Sequence, residues 1–225
     1  MKTLIVIPAF NEADNLQKLL PQITQLRGLD ILIVDDFSSD GTALKAKDMG
    51  VTCLSLPDQL GAWGATQTGI RYALSNGYDQ VVTMDADGQH LPEEIATLLN
   101  SKSQDNNVII GTFPKRLSRL KKMAWGFFKA LTLIKIQDLT SGFRLYDKQA
   151  LTLLSGERAS LLDYQDVGVL LLLLRSGLTI SEVPVKMYDR QDGKSRVFSS
   201  WLVVMKYMIQ TTTLCIANFG VKKTK

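Results

Sequence analysis

Two aspartates separated by one residue, with a glutamine amide two positions further on, form a compact set of hard oxygen donors in the run Asp85-Ala-Asp87-Gly-Gln89-His90. Carboxylate and amide oxygens suit Mg²⁺ or Mn²⁺, and Mg²⁺ commonly binds through one or two carboxylates while sharing its shell with substrate phosphates. Residues 80–84 just before them read as a short β-strand, and Gly88 and Pro92 break it, so both acids sit where a strand ends. Strand ends are where α/β sheets bind ligands. Taken alone, Asp-Ala-Asp-Gly reads equally well as a polar turn; the elements around it decide between the two.

Those elements alternate. Residues 4–7, followed by Pro8, read as a buried strand, and residues 12–26 carry Leu16, Leu19, Leu20 and Ile23 at helical spacing. A second strand over 31–34 ends in Asp35-Asp36, and Ser38-Ser39-Asp40-Gly41-Thr42 is turn chemistry that predicts a capped helix over 42–49. A third strand over 51–56 leads to a helix after Gly61-Ala-Trp-Gly64-Ala65, and the fourth strand carries the paired acids. Alternation of this kind predicts an α/β fold with a parallel sheet and right-handed crossovers. One rim of that sheet then collects Asn11, Asp35, Asp36, Asp58, Asp85 and Asp87. A turn-only reading would need four strands to place acids or amides there by chance.

Composition narrows the function classes. A chain of 225 residues with 45% hydrophobic content has enough apolar material for the core of one domain. The net charge of +4 and pI near 9.0 come largely from basic residues in 115–122 and 186–225, which predicts local patches rather than a nucleic-acid partner. Cys53 and Cys215 lie in apolar runs and read as reduced core thiols, and a single histidine argues against a zinc cluster. The apolar run at 4–7 is too short for a secretory signal or a membrane span, so a cytoplasmic location is expected. Neither Gly-x-x-x-x-Gly-Lys-Ser/Thr nor Gly-x-Gly-x-x-Gly after the first strand occurs, and no glycine-rich loop with lysine follows Ile7. What remains is a nucleotide held through a metal.

Three segments carry a resemblance: Val6-Ile-Pro-Ala-Phe-Asn-Glu12, Val34-Asp-Asp-Phe-Ser-Ser-Asp-Gly-Thr42 and Met84-Asp-Ala-Asp-Gly-Gln-His90 resemble the successive signatures of family 2 glycosyltransferases with the GT-A fold. Asp138-Leu-Thr-Ser-Gly-Phe-Arg-Leu-Tyr146, Glu182-Val-Pro-Val185 and Arg190-Gln-Asp-Gly-Lys-Ser-Arg196 resemble its polyprenyl-phosphate sugar synthase branch, the dolichol-phosphate mannose synthase-like group. The resemblance implies a GT-A domain over 1–197, built on a mostly parallel Rossmann-like sheet, followed by an amphipathic helix and basic tail over 198–225. It implies metal-dependent, inverting transfer of a sugar from a UDP- or GDP-sugar to undecaprenyl or dolichyl phosphate. The alternative is transfer to a glycan hydroxyl in cell-surface polysaccharide assembly.

By the same resemblance, Pro8, Phe10, Glu12, Asp35 and Asp36 line the base and ribose pocket, and Asp85, Asp87 and Gln89 hold Mg²⁺ or Mn²⁺, with Asp85 also near the ribose. Asp87, Arg144, Asp166 and Arg190 are the implied catalytic residues, Lys194 and Arg196 close over the donor phosphates, and Ser141, Arg116, Arg119 and Lys122 receive the acceptor phosphate. The metal has an independent physical rationale: breaking a sugar–diphosphate bond leaves charge on the departing phosphate, which a divalent ion stabilises as it develops.

Two departures from the branch bear on the acceptor. Gly111-Thr112-Phe113 stands where the branch has Gly-Ser-Arg, so the grip on the acceptor phosphate falls to Lys115, Arg116, Arg119 or Lys122. In Asp163-Tyr-Gln-Asp166, the last acid reads either as a base towards a sugar hydroxyl or as a helix N-terminal acid.

Two apolar stretches point to a membrane surface. Leu117, Leu120, Ala124, Phe127, Phe128, Leu131 and Ile134 recur at helical spacing beside Arg119, Lys122 and Lys129, a pattern that fits a core helix and an interfacial one alike. Residues 201–219 are nearly all apolar, but Lys206 at mid-helix costs about 2.5–3.5 kcal/mol on insertion scales, which favours an interfacial or partner-docked helix over a span. Lys222, Lys223 and Lys225 then meet lipid headgroups or the helix C-terminal dipole. The expectation is a peripheral enzyme on the inner face of the cell membrane whose partners are a nucleotide sugar, a polyprenyl phosphate, the membrane surface and a small membrane protein. A catalytically silent subunit recruiting a membrane partner through 201–219 is the rival, and intact Asp85, Asp87, Gln89 and Arg190 argue against it.

Overall fold

A computed structural model describes residues 1–113, 136–162, 166–188, 209 and 212–213. Its strands are β1 (Thr3–Ala9), β2 (Asp30–Asp35), β3 (Thr52–Ser55), β4 (Gln80–Thr83), β5 (Val108–Thr112), β6 (Arg144–Asp147) and β7 (Ile180–Pro184), in the order β3-β2-β1-β4-β6-β5-β7. The helices are α1 (Ala13–Ile23), α2 (Thr42–Asp48), α3 (Gly61–Ser75), α4 (Glu94–Asn100), α5 (Lys148–Leu154), α6 (Glu157–Ser160) and α7 (Val167–Arg175). The expected parallel α/β sheet is present from β3 to β4. Beyond β4 the sheet is mixed, because β6 runs antiparallel to both β4 and β5 while β7 runs parallel to β5.

Alternation along β1 explains the layers. Leu4 and Val6 face one apolar cluster with Trp63 and Ile70 of α3 and Leu151 of α5, whereas Ile5 and Ile7 face another with Leu16 and Leu20 of α1 and Ile95 of α4. A strand covered on both sides must be apolar at every position, which is why residues 4–7 show no polar alternation. Helix α3 lies close on β1 because Gly69 has no side chain; a Cβ there would run into Val6 Cγ1.

Three local expectations need correction. Helix α2 is capped by Gly41, whose left-handed φ of 85° admits glycine easily, and no side chain caps it. Asp40 instead accepts the N–H of Thr42 at 3.0 Å and that of Ala13 at 3.0 Å, fixing the start of α1 as well. Burial pushes the Asp40 carboxyl up, but these bonds and one from the Thr42 hydroxyl outweigh it and hold the pKa below the ordinary value. Helix α1 ends at Ile23 rather than running on to Leu26, and the chain turns through Gly28. Cys53 is a free thiol but only half-buried, because β3 is the sheet's edge strand; burial and nearby Asp35 push its pKa up. Cys215 and the proposed boundary at 197/198 lie outside the described residues.

The antiparallel β6 matters most for function. Thr83 pairs with Arg144, so β6 begins beside the end of β4. The segment entering β6 is thereby delivered to the same rim as the segment leaving β4.

Candidate active site

The rim is built from loops tied to one another by their backbones. Asp36 N–H donates to Ala9 O at 2.8 Å, Asn11 N–H to Ser38 Oγ at 2.9 Å, Ser39 N–H to Asn11 Oδ1 at 2.9 Å and Glu12 N–H to Thr42 Oγ1 at 2.9 Å. Within this lattice Asn11 (φ 53°) and Phe37 (φ 65°) hold left-handed backbones without being glycine. Such strain persists only where surroundings over-determine it, and it clusters at ligand sites. Phe10 and Phe37 remain 37% and 57% exposed at the same rim.

The expected base and ribose residues differ in what they present. Phe10 is exposed and Pro8 part-buried in β1, whereas Glu12 is buried and accepts the Asn15 side-chain amide. Asp35 is buried and its Oδ1 accepts Ser38 N–H at 3.3 Å. Asp36 Oδ1 accepts Leu60 N–H at 2.7 Å and its Oδ2 accepts Gly61 N–H at 2.9 Å, so this buried carboxylate anchors the start of α3. Asp36→Ala removes the charged acceptor of two part-buried N–H groups and is expected to cost about 1–3 kcal/mol, read as a lower urea midpoint at unchanged slope.

At the end of β4 the chain turns through Gly88 (φ 74°), and Asp87 Oδ1 accepts Gln89 N–H at 3.1 Å. The Asp85 side chain is 41% exposed. One side of its carboxylate lies against the backbone of residue 142, where a Cβ would stand 2.6 Å from Oδ1 and 2.9 Å from Oδ2. Thr83 holds that backbone in place by donating its hydroxyl to Gly142 O at 2.7 Å. Gln89 is 3% exposed, and its Oε1 has no hydrogen-bond partner among the described residues. A buried amide oxygen without a donor is costly, and an electropositive ligand relieves that cost.

These residues fit a hard divalent ion. No group of three or more His, Cys, Asp or Glu residues able to hold a metal occurs among the described residues. Mg²⁺ needs fewer: Asp85, Asp87 and the unpartnered Gln89 oxygen are all oxygen donors, and water with substrate phosphates completes such a shell. Zinc is not favoured by this donor set.

Two residues expected at the chemistry are buried. Ser141 is 1% exposed and its hydroxyl donates to Gly111 O at 2.6 Å, which fastens the loop to β5. Arg144 is 0% exposed, donating from Nε to Ser141 O at 2.7 Å and from Nη2 to Leu139 O at 3.0 Å. These bonds shape the segment that packs against Asp85. Asp166 is buried at the N-cap position of α7, yet its carboxylate does not cap the helix. Arg116, Arg119, Lys122, Arg190, Lys194 and Arg196 lie outside the described residues, as do the run 117–134 and all of 201–219 except 209, 212 and 213.

Sequence reasoning passed over the layer behind the acids. His90 is buried and stacks on Phe143 with ring centroids 5.0 Å apart and planes at 19°. Gly111 makes room for Phe143, since a Cβ there would stand 2.8 Å from Phe143 Cδ1. All four positions, 90, 111, 142 and 143, lie in the motifs quoted above, but nothing in their types announces mutual contact. The segment after β7 is joined on as well: Lys186 N–H donates to Glu94 Oε1 at 3.1 Å, Tyr188 N–H donates to Gln89 O at 2.9 Å, and Met187 bridges His90.

Comparison with known proteins supplies the family and the fold. Over 220 residues the chain is 29% identical to polyprenol monophosphomannose synthase of Mycolicibacterium smegmatis, covering 88% of this chain and 82% of that one. It is 30% identical to undecaprenyl-phosphate mannosyltransferase of Micrococcus luteus, covering 88% of each. Glucosyl-3-phosphoglycerate synthase of Mycobacterium tuberculosis, solved with Mn²⁺, UDP and phosphoglyceric acid, shares the fold at a TM-score of 0.74 and 19% identity, covering 99% of this chain and 80% of that one. The profile described as Glycosyl transferase family 2 matches residues 4–153, and the chain belongs to that family.

Proposed function

We propose that this chain is a divalent-metal-dependent, inverting glycosyltransferase that passes a sugar from a nucleoside diphosphate donor to a polyprenyl phosphate. The observation that carries the reading is the Asp85–Asp87–Gln89 turn, with its unpartnered buried amide oxygen, at the rim where four parallel strands end. The names of the relatives in Mycolicibacterium smegmatis and Micrococcus luteus, aligned over more than four-fifths of each chain, support the acceptor class.

The chemistry follows from the partners. A phosphate monoester is already an anion near neutral pH, so its oxygen attacks the anomeric carbon without first losing a proton to a strong base. The new carbon–oxygen bond forms as the bond to the donor diphosphate breaks, and a single in-line displacement inverts the anomeric centre. The rim loops after β1 and β2, with exposed Phe10, hold the nucleoside; Asp85, Asp87 and Gln89 hold the ion. When bound, the ion neutralises the leaving diphosphate. Asp166 is not required as a base on this reading. No helix among the described residues is long and apolar enough to cross a membrane. We place the working enzyme at the inner membrane surface, held there by the basic, apolar stretches 117–134 and 201–219.

The test incubates purified protein with membranes, Mn²⁺ or Mg²⁺ and a panel of labelled UDP- and GDP-sugars. Label is expected to become extractable into organic solvent and to be released by mild acid as free sugar. Label that enters only a non-extractable glycan would overturn the lipid-phosphate acceptor and favour the hydroxyl alternative.

A further inference from the structure

The metal-binding turn needs more than its ligands: the Asp85 carboxylate must stay aimed at the ion when no ion is present to hold it. Two neighbours stand close to it. The backbone of Gly142 lies against the carboxylate. His90 Nε2 stands 3.8 Å from Asp85 Oδ2, while its Nδ1 accepts the Asp85 backbone N–H at 3.0 Å. An acceptor at Nδ1 puts the proton of the neutral ring on Nε2, the nitrogen that stands 3.8 Å from the carboxylate. A separation of 3.8 Å is too long for a hydrogen bond and leaves the oxygen's lone pairs available to a ligand. The ring itself cannot swing, because it is buried and stacked on Phe143, which is seated over Gly111.

We infer that His90 is a positioning residue for the divalent-ion site: one nitrogen fixes the backbone of Asp85, and the other orients its carboxylate. The inference rests on the metal reading above. It assigns a role within this turn to a side chain that contacts a ligand residue without being a ligand. Outer partners of this kind typically contribute 10–100-fold to metal affinity.

Three proteins separate this role from a merely structural one: wild type, His90→Phe and His90→Asn. Phe keeps the stack on Phe143 and loses both nitrogens; Asn keeps an acceptor near the Nδ1 position and loses the Nε2 contact. Mn²⁺ binding is read by electron paramagnetic resonance with UDP or GDP present and no sugar donor, alongside thermal unfolding. The expected result is weaker Mn²⁺ binding by about 10–100-fold in His90→Phe, with a smaller loss in His90→Asn. In transfer assays, saturating Mn²⁺ is expected to restore most of the turnover of His90→Asn. Native Mn²⁺ affinity in a folded His90→Phe or His90→Asn protein overturns the role of His90 alone. If His90→Phe does not fold, His90→Asn decides by the same measurement. A wild-type protein that takes up no Mn²⁺ overturns the metal reading and this inference together.

Discussion

Asp87→Ala is expected to abolish sugar transfer, by at least about a thousandfold or about 4 kcal/mol of transition-state stabilisation, while the protein still unfolds cooperatively at close to its normal temperature. The asymmetry follows from what Asp87 does in the fold. Its side chain is part-exposed on the turn, and among its contacts is one with the backbone N–H of Gln89, two residues on. Removing it takes little from the core and takes a full negative charge from the ion site. Excess chelator should have the same effect on wild type, and Mn²⁺ should restore activity to the chelated wild type but not to the variant. The measurement is initial rate against metal concentration. Robust turnover of either the variant or the chelated enzyme would remove the metal from the mechanism.

Gly142→Ala is expected to lower turnover by about a hundredfold with the fold retained, because a misplacement of about 1 Å in a reacting group has that effect. The backbone at 142 is not left-handed, so alanine meets no conformational penalty there. The added methyl instead meets the Asp85 carboxylate at 2.6 Å, and a carboxylate at the end of a side chain moves more easily than a strand. The displaced group no longer presents its oxygens to the ion. Higher Mn²⁺ requirement with an unchanged melting temperature is the signature to seek, and a variant indistinguishable from wild type in both would show that Asp85 has room the structure does not indicate.

The contrast between Asp87 and Asp36 shows how far residue type carries a functional reading. Both are acids just beyond strand ends, and both occupy motifs that resemble those of a known family. Asp36 anchors α3 through two backbone bonds, and only coordinates reveal that a loop twenty-four residues on in the chain folds back to meet it. Arg144 repeats the lesson: the resemblance implies a catalytic role for it, and only coordinates reveal that its guanidinium holds the carbonyls of Leu139 and Ser141. The parallel half of the sheet was legible because burial on both faces forces uninterrupted apolar runs. The antiparallel β6 was not, since four residues beginning with arginine carry no such signal. The acid rim followed from the first half; the loop packed against it followed from the second.

That reversal of direction also governs how the two halves of the site can change. Strand β5 leaves the sheet at the rim and β6 re-enters beside it, where Gly111 N–H donates to Phe143 O at 2.9 Å, so everything from 113 to 142 departs from and returns to one pinned point. Lengthening such an excursion costs only closure entropy, about 0.6 kcal/mol for each doubling. Length added within that excursion, short of the segment 139–142 packed beside Asp85, therefore leaves the register of the parallel strands unchanged.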